Sequence, residues 1–214
     1  LHGGPHGFSR KVWDASSFEG DKEAGVTLSL MSPDMDQGYP GTLQVKLDIT
    51  LNEANELTFS YEADTDRPTP VNLTNHAYWN LGEQCSGKIY GHDMFLNASH
   101  YLEVDKSLIP TGRLISVDGT AYDLRQWPTL NNIMAPDDSG FDNCFVLTET
   151  GMSRTPDADV IHPASGRRMQ IFTDQPGIQF YTGNNLQGEN SRCGAVYKHD
   201  ALCLETQDYP DAVN

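Results

Sequence analysis

A regular alternation of apolar and polar residues across residues 42–51 is the feature that most limits how this chain folds. Its apolar members occupy every second position: Leu43, Val45, Leu47, Ile49 and Leu51. A period of two residues is typical of a strand with one buried face and does not suit a helix. The pattern returns at residues 57–61 after a polar turn at 52–55, so the two runs predict an antiparallel hairpin.

Further short strand patterns follow, separated by segments rich in turn-forming residues. They lie at residues 26–31, 94–97, 145–148, 168–173, 178–182 and 202–206. We find no amphipathic helix of three turns, and Pro128 interrupts the one candidate at 124–134. No linker or repeat divides the sequence. We therefore predict an all-β fold, an antiparallel β-sandwich, in which residues 1–214 form a single domain.

The charge balance limits the kinds of partner that we expect. The chain has 14 basic and 30 acidic residues, which gives a formal net charge of −16. Such a chain repels nucleic acid and anionic membrane surfaces. No apolar run approaches the roughly 18 residues that a membrane-spanning helix needs. The sequence therefore predicts neither a nucleic acid partner nor a membrane partner.

Metal and thiol chemistry have little local support in the sequence. The four cysteines, Cys85, Cys144, Cys193 and Cys203, form no CxxC pair. His2 and His6 are four residues apart, but the Gly-Gly-Pro between them prevents the helix that would align them. We therefore predict no metal site, and we interpret Cys203, which lies between two leucines, as a small buried apolar residue.

The strongest chemical signal is the segment from Val71 to Leu81. Interpreted as a strand, it places a hydroxyl, an imidazole, a phenol and two amides on one face, from Asn72, Thr74, His76, Tyr78 and Asn80. A row of this kind makes a poor core but suits a polyhydroxylated ligand. The simpler alternative for His76 is a structural imidazole packed beside Trp79.

Three residues further along the chain add candidate functional groups. Glu205 lies among apolar residues, so desolvation is expected to raise its pKa towards that of a useful base, although it could be an exposed charge at a strand edge. Gln179 shares a strand face with Tyr181 and could meet vicinal hydroxyls or only solvent. Asp142 could instead be an Asx-turn residue that holds a loop. Together, His76 and Glu205 could move two protons on one small substrate.

At these residues the chain resembles the aldose 1-epimerase (galactose mutarotase) family. The matching segments are LHGGPHGFSRKVWD at 1–14, SPDMDQGYPGTL at 32–43, NLTNHAYWNLG at 72–82, YLEVDKSLIPTGRL at 101–114, GIQFYTGNNL at 177–186 and LETQDYPDAVN at 204–214. They occur in the family's order over nearly the whole chain. The family's pattern usually extends further at both ends, so we expect this chain to be a fragment that lacks N-terminal and C-terminal strands.

The resemblance implies a β-sandwich of the supersandwich type and interconversion of the α and β anomers of a free aldose such as galactose or glucose. It implies His76 as proton donor and Glu205 as proton acceptor, with sugar contacts from His2, Tyr78, Asp142 and Gln179. The reaction is redox-neutral and transfers no group, so it implies no cofactor and no metal. We further expect a monomer or homodimer in the cytoplasm.

Two other functions remain open at this stage. A non-catalytic carbohydrate-binding module on the same fold would need the polar face but not both proton carriers. A glycoside hydrolase would use two carboxylates about 5–9.5 Å apart, and Asp142 and Glu205 could take those roles.

Overall fold

The structure is a computed structural model, and it describes residues 2–82, 87–134, 138–148, 155–191 and 194–213. The chain divides into two compact units, Leu1–Leu73 and Thr74–Asn214. Strands dominate both, and α1 (Leu130–Met134) is the one α-helix within the described ranges. No helix in these ranges is long and apolar enough to cross a membrane. The expected all-β class is confirmed, whereas the assignment of residues 1–214 to one domain stays a prediction.

The first unit is built on a four-stranded antiparallel sheet in chain order. Its strands are β1 (Asp14–Glu19), β2 (Glu23–Ser32), β3 (Leu43–Asn52) and β4 (Leu57–Thr65). The predicted hairpin is confirmed as β3 and β4, with Leu51 paired to Leu57. The Asn52 side chain closes the turn, because its Oδ1 accepts hydrogen bonds from the backbone N–H groups of Ala54 (2.9 Å) and Glu56 (3.0 Å).

The second unit contains the remaining strands. They are β5 (Asp93–Leu96), β6 (Ala98–Val104), β7 (Pro110–Ser116), β8 (Asp142–Leu147), β9 (Ala158–His162), β10 (Arg167–Ile171), β11 (Gly177–Tyr181), β12 (Gln187–Ser191), β13 (Gly194–Tyr197) and β14 (Cys203–Gln207). One sheet has the order β14-β11-β8-β6-β7 and a second has the order β10-β9-β5. Strands β12 and β13 form a separate two-stranded ribbon. All of these pairings are antiparallel.

One apolar core lies between the two larger sheets of this unit. The five-stranded sheet contributes Phe145, Ile178 and Phe180, and each of these side chains is fully buried. Met94 of β5 and Val160 of β9 join the same cluster from the three-stranded sheet. Complete burial of such a side chain stabilises a fold by about 1.5–3 kcal/mol. Two antiparallel sheets around a shared core confirm the predicted β-sandwich in this unit.

The segment 71–81 is not a strand, so this part of the sequence prediction is wrong. Its residues 74–79 lie along the outer edge of β14. Trp79 forms an isolated antiparallel bridge with Leu202, which directly precedes β14, and the Thr74 hydroxyl donates to the carbonyl of Thr206 (2.8 Å). The residues between Thr74 and Trp79 are described, and none of them pairs with β14 as a strand.

Candidate active site

The candidate site lies entirely within the second unit, on the face of the five-stranded sheet that points away from the core. Strand register arranges the side chains of this face in two rows across β14, β11 and β8. One row contains Cys203, Tyr181 and Asp142, and the next contains Glu205, Gln179 and Cys144. Leu204 and Phe180, which lie between these rows, belong to the apolar core. The two-residue periodicity therefore separates an apolar face from a polar face on one sheet.

Glu205 occupies the middle of β14 and is almost fully buried, with 5% of its surface exposed. Desolvation, with a smaller contribution from the negative charge of Asp142, raises the pKa of Glu205 to about 7. The expectation that burial raises this pKa is confirmed. A carboxyl group with a pKa near neutrality can both take and return a proton at physiological pH.

His76 meets Glu205 from the segment beside β14. The distance from its Nε2 atom to Oε1 of Glu205 is 3.5 Å, and about one third of the imidazole side chain is exposed. The ring stacks on Tyr78, with centroids 5.1 Å apart, and lies edge-on to Tyr181 at 6.3 Å. Two groups that can carry protons therefore face each other at the border between a buried sheet and solvent.

Two tyrosines line the site beside His76. Burial is the main reason why the pKa of Tyr78 is raised to about 12, so this residue presents a neutral phenol at neutral pH. Tyr181 is largely buried, and its hydroxyl accepts a hydrogen bond from the backbone N–H of Asn185 (2.9 Å). Their rings are also edge-on, with centroids 6.4 Å apart. Tyr181 thus fixes the loop after β11 while it limits the space around the imidazole.

Asp142 and Gln179 form a hydrogen-bonded pair on the same face. The Nε2 group of Gln179 donates to Oδ1 of Asp142 at 2.7 Å. The loop that leads into Asp142 is anchored, since the Phe141 N–H donates to the Thr182 hydroxyl at 2.7 Å. Gly140 in this loop has a φ of 71°, and a Cβ there would approach the Thr182 hydroxyl at 2.3 Å, so a larger residue would displace the loop.

The structure brings together five of the six residues predicted for the site. His76, Tyr78, Asp142, Gln179 and Glu205 lie on this face. Asp142 is the first residue of β8 and accepts a hydrogen bond from Gln179. His2 lies in the first unit, in an exposed turn with a φ of 52°. Its contact with a sugar stays a prediction, as do the roles of the other five.

Sequence reasoning missed the position of Cys203. It is fully buried, as expected, but it points towards the candidate site and not into the apolar core. Burial raises the pKa of its thiol, so the group is a neutral S–H at physiological pH. Strand parity alone could have found this, because Cys203 and Glu205 are two residues apart on one strand.

These side chains include three potential metal ligands. A ring nitrogen of His76, Sγ of Cys203 and a carboxylate oxygen of Glu205 all lie within 4.8 Å of one another. The absence of a metal site was predicted from ligand spacing along the sequence, and that criterion does not detect residues that are far apart in sequence and meet in the fold. Cys85 and Cys193 lie outside the described residues.

Comparison with known proteins identifies relatives of the whole chain. The family model "Aldose 1-epimerase" matches residues 1–214. The chain is 46% identical over 217 residues to a galactose mutarotase of Rattus norvegicus, and 36% identical over 221 residues to an aldose 1-epimerase of Escherichia coli. Each alignment covers 100% of this chain and 62% of the relative. The chain thus spans less than two thirds of the length of these relatives.

Solved structures give the same result for the fold. A galactose 1-epimerase from Lactobacillus acidophilus superposes with a TM-score of 0.84 and 28% identity, over 98% of this chain and 61% of that chain. An aldose epimerase homologue from C. elegans superposes with a TM-score of 0.88 and 28% identity, over 100% of this chain and 64% of that one. The sequence match extends from the first residue to the last, and this chain belongs to the aldose 1-epimerase family.

Proposed function

We propose that the protein interconverts the α and β anomers of a free aldose, with galactose and glucose as candidate substrates. The observation that carries the proposal is the 3.5 Å approach of His76 Nε2 to Glu205 Oε1 on a sheet face lined with hydrogen-bonding side chains. Opening a hemiacetal ring requires one proton to leave the anomeric hydroxyl and one to reach the ring oxygen. A carboxylate and an imidazolium supply these two transfers.

In the proposed mechanism, the Glu205 carboxylate removes the proton from the anomeric hydroxyl while protonated His76 donates a proton to the ring oxygen. The bond between the anomeric carbon and the ring oxygen breaks, which leaves an open-chain aldehyde. Rotation about the bond to the next carbon exposes its other face. Ring closure with the roles reversed then returns both protons and gives the other anomer. Atoms and charge balance, and no electron is transferred.

The surroundings of Glu205 and His76 suit the exchange of acid and base roles between ring opening and ring closure. A base works best when its pKa lies near the working pH, and the pKa of Glu205 is about 7. Because the imidazole is partly exposed, it can exchange protons with solvent between turnovers. A positioned acid or base typically contributes about 10²–10⁴-fold to a rate.

We assign the neighbouring polar groups to substrate binding. The Asp142–Gln179 pair and the neutral phenol of Tyr78 offer acceptors and donors to ring hydroxyls, and His2 is proposed as a further sugar contact. The names of the relatives support this assignment, since they refer to galactose and to aldoses. No metal and no cofactor has a role in the proposed steps.

Polarimetry on fresh α-galactose tests the function directly. We expect the protein to accelerate the approach to the equilibrium rotation, and we expect no release from an aryl galactoside. A protein that binds galactose without accelerating mutarotation would be a carbohydrate-binding module. Release from the aryl galactoside would instead indicate a glycoside hydrolase.

The domain organisation, the oligomeric state and the cellular location of the protein are also proposals. We propose that residues 1–214 act as a single β-sandwich domain in a monomer or homodimer in the cytoplasm. Support for the single domain comes from the uninterrupted family match over 1–214. Light scattering coupled to gel filtration measures the oligomeric state, and a mass above that of a dimer would contradict it.

A further inference from the structure

Three different donor atoms meet at the proposed proton-transfer pair. Cys203 and Glu205 are two residues apart on β14, so strand geometry points both side chains to the same face. The segment beside β14 adds the imidazole of His76. Their donor atoms, one sulfur, one oxygen and one nitrogen, lie within 4.8 Å of one another.

The donor set matches the preferences of one class of ion. Zinc accepts thiolate, imidazole and carboxylate ligands, whereas magnesium and calcium take oxygen ligands. Zinc bonds of about 2.0–2.3 Å place tetrahedral ligand atoms about 3.3–3.7 Å apart. His76 Nε2 and Glu205 Oε1 already have this separation, at 3.5 Å.

The sulfur is the donor that has to approach. Closing a donor separation of up to 4.8 Å to tetrahedral spacing requires a movement of about 1 Å. His76 can provide this movement, because its side chain is about one third exposed and because it lies on a non-strand segment, between the Thr74–Thr206 and Trp79–Leu202 contacts. The partial exposure of the imidazole also gives an ion a route to the buried thiol and carboxyl groups.

We propose that His76, Cys203 and Glu205 form a zinc-binding site that excludes proton transfer when it is occupied. Binding displaces to solvent the thiol proton of Cys203 and any proton held by His76 Nε2 or by the Glu205 carboxyl group, and water or a sugar hydroxyl completes the fourth position. The ion uses the lone pairs of His76 Nε2 and of the Glu205 carboxylate that would otherwise accept protons. Zinc is therefore an inhibitor of this site and not a cofactor, a consequence that rests on the proposed function.

Equilibrium titration of the full chain with zinc alone, in competition with a chromogenic chelator, tests the site without any sugar. We expect one zinc ion to depend on this cluster. Cys203→Ser and His76→Asn should each weaken that binding by at least about 100-fold, because each removes a direct ligand. Cys144→Ser is the matched control: this buried thiol lies on the same face, opposite Gln179, but outside the cluster. Its zinc affinity should equal that of the unaltered chain.

Cobalt gives a readout of the sulfur ligand that does not depend on affinity. The unaltered chain and Cys144→Ser should show a thiolate-to-cobalt charge-transfer band, and Cys203→Ser should lack it. His76→Asn leaves the buried strand unchanged, so its titration remains informative if Cys203→Ser does not fold. Equal zinc affinity in the unaltered chain and His76→Asn, or a charge-transfer band that persists in Cys203→Ser, would overturn the assignment.

Mutarotation measured with and without zinc separates this inference from the proposed function. If the chain is active, saturating zinc should abolish the activity and a chelator should restore it. If an active chain keeps its full rate with zinc bound, the proposal that zinc occupies the proton-transfer residues is wrong. If the chain has no activity even without zinc, the proposed function fails, and the titration alone then decides whether the zinc site exists.

Discussion

At the scale of single residues, the burial of Glu205 has two effects. It raises the pKa of the carboxyl group, which suits its proposed role as a base, and it lowers the stability of the folded chain. In the folded chain its pKa is raised to about 7, against an ordinary value of 4.5. The folded state therefore binds this proton more tightly than the unfolded state does. Between pH 4.5 and 7, ionisation of Glu205 progressively removes stability, and above pH 7 the full penalty remains.

We predict that Glu205→Gln raises the free energy of unfolding at pH 8 by about 1–3 kcal/mol, since a neutral amide avoids the desolvation penalty. This gain should shrink as the pH falls and disappear below about pH 4.5, where Glu205 is protonated in both states. Urea unfolding at several pH values measures it. A gain that stays constant with pH would show that the carboxyl group is not the cause.

The same substitution should have the opposite effect on catalysis. We predict that Glu205→Gln and His76→Asn each lower the turnover of mutarotation by at least about 10²-fold, because each removes a positioned base or acid. Polarimetric kcat values measure the loss. Cys144→Ser, on the same sheet face, serves as the control and should retain turnover. Near-normal turnover in either test variant would remove that residue from the mechanism.

Asp142 and Gln179 are proposed to hold ring hydroxyls throughout the reaction. Asp142→Asn and Gln179→Ala should therefore raise KM more than they lower kcat. Loss of one such hydrogen bond costs about 0.5–1.5 kcal/mol, or up to about 3 kcal/mol when the partner is charged. Saturation curves for galactose separate the two constants. A collapse of kcat at unchanged KM would place the residue in the transition state.

At the scale of elements, the sequence was most informative where apolar residues recur at every second position of a strand. This pattern in residues 42–51 and 178–182 predicted β3 and β11 correctly. Six strands were missed: β1, β6, β7, β9, β12 and β13. The side chains of β1 and β7 are mostly exposed and lack apolar periodicity, whereas β9 contains Asp159, a buried charged residue that interrupts its apolar pattern. The segment 71–81 misled for another reason: its residues alternate as in a strand, but among the described residues its backbone pairs only at the isolated Trp79–Leu202 bridge, a contact with a residue far away in sequence.

The hydrogen bond between Thr74 and Thr206 offers a test of how this segment positions His76. Thr74→Val removes the hydrogen bond to the Thr206 carbonyl while it preserves side-chain shape. We predict a loss of about 0.5–1.5 kcal/mol in stability, together with lower kcat because His76 is less well positioned over Glu205. Thr111→Val on β7, which removes an exposed hydroxyl contact to Glu103 of β6, should leave kcat unchanged. Equal kcat in both variants would show that Thr74 does not position the imidazole.

At the scale of the whole molecule, composition limits the classes of partner but does not describe the geometry of the site. A net charge of −16 argues against polyanionic partners and leaves a neutral sugar unaffected. The individual roles came from resemblance, and the strand register then grouped five of the six proposed residues. The meeting of Cys203 with His76 could not be read from the sequence, since it depends on how a non-strand segment lies against a strand edge.

This charge leads to a prediction about salt. The kcat/KM for galactose should change by less than about twofold between low and high ionic strength, because a neutral substrate is not steered by charge. Galacturonate should be used less well at low salt and should improve as salt screens its repulsion from the protein. Stopped-flow polarimetry compares the two sugars. A strong salt dependence for galactose itself would contradict the proposed neutral substrate.

The two residues of the proposed acid–base pair lie on different kinds of backbone element. Glu205 belongs to a strand whose register is fixed by its neighbour β11, so a one-residue insertion there would turn the carboxylate towards the core. His76 belongs to a segment that is not a strand and lies between the contacts of Thr74 and Trp79 with this edge of the sheet. Changes of length or conformation in this segment can therefore move the proposed donor, while the proposed acceptor keeps its position.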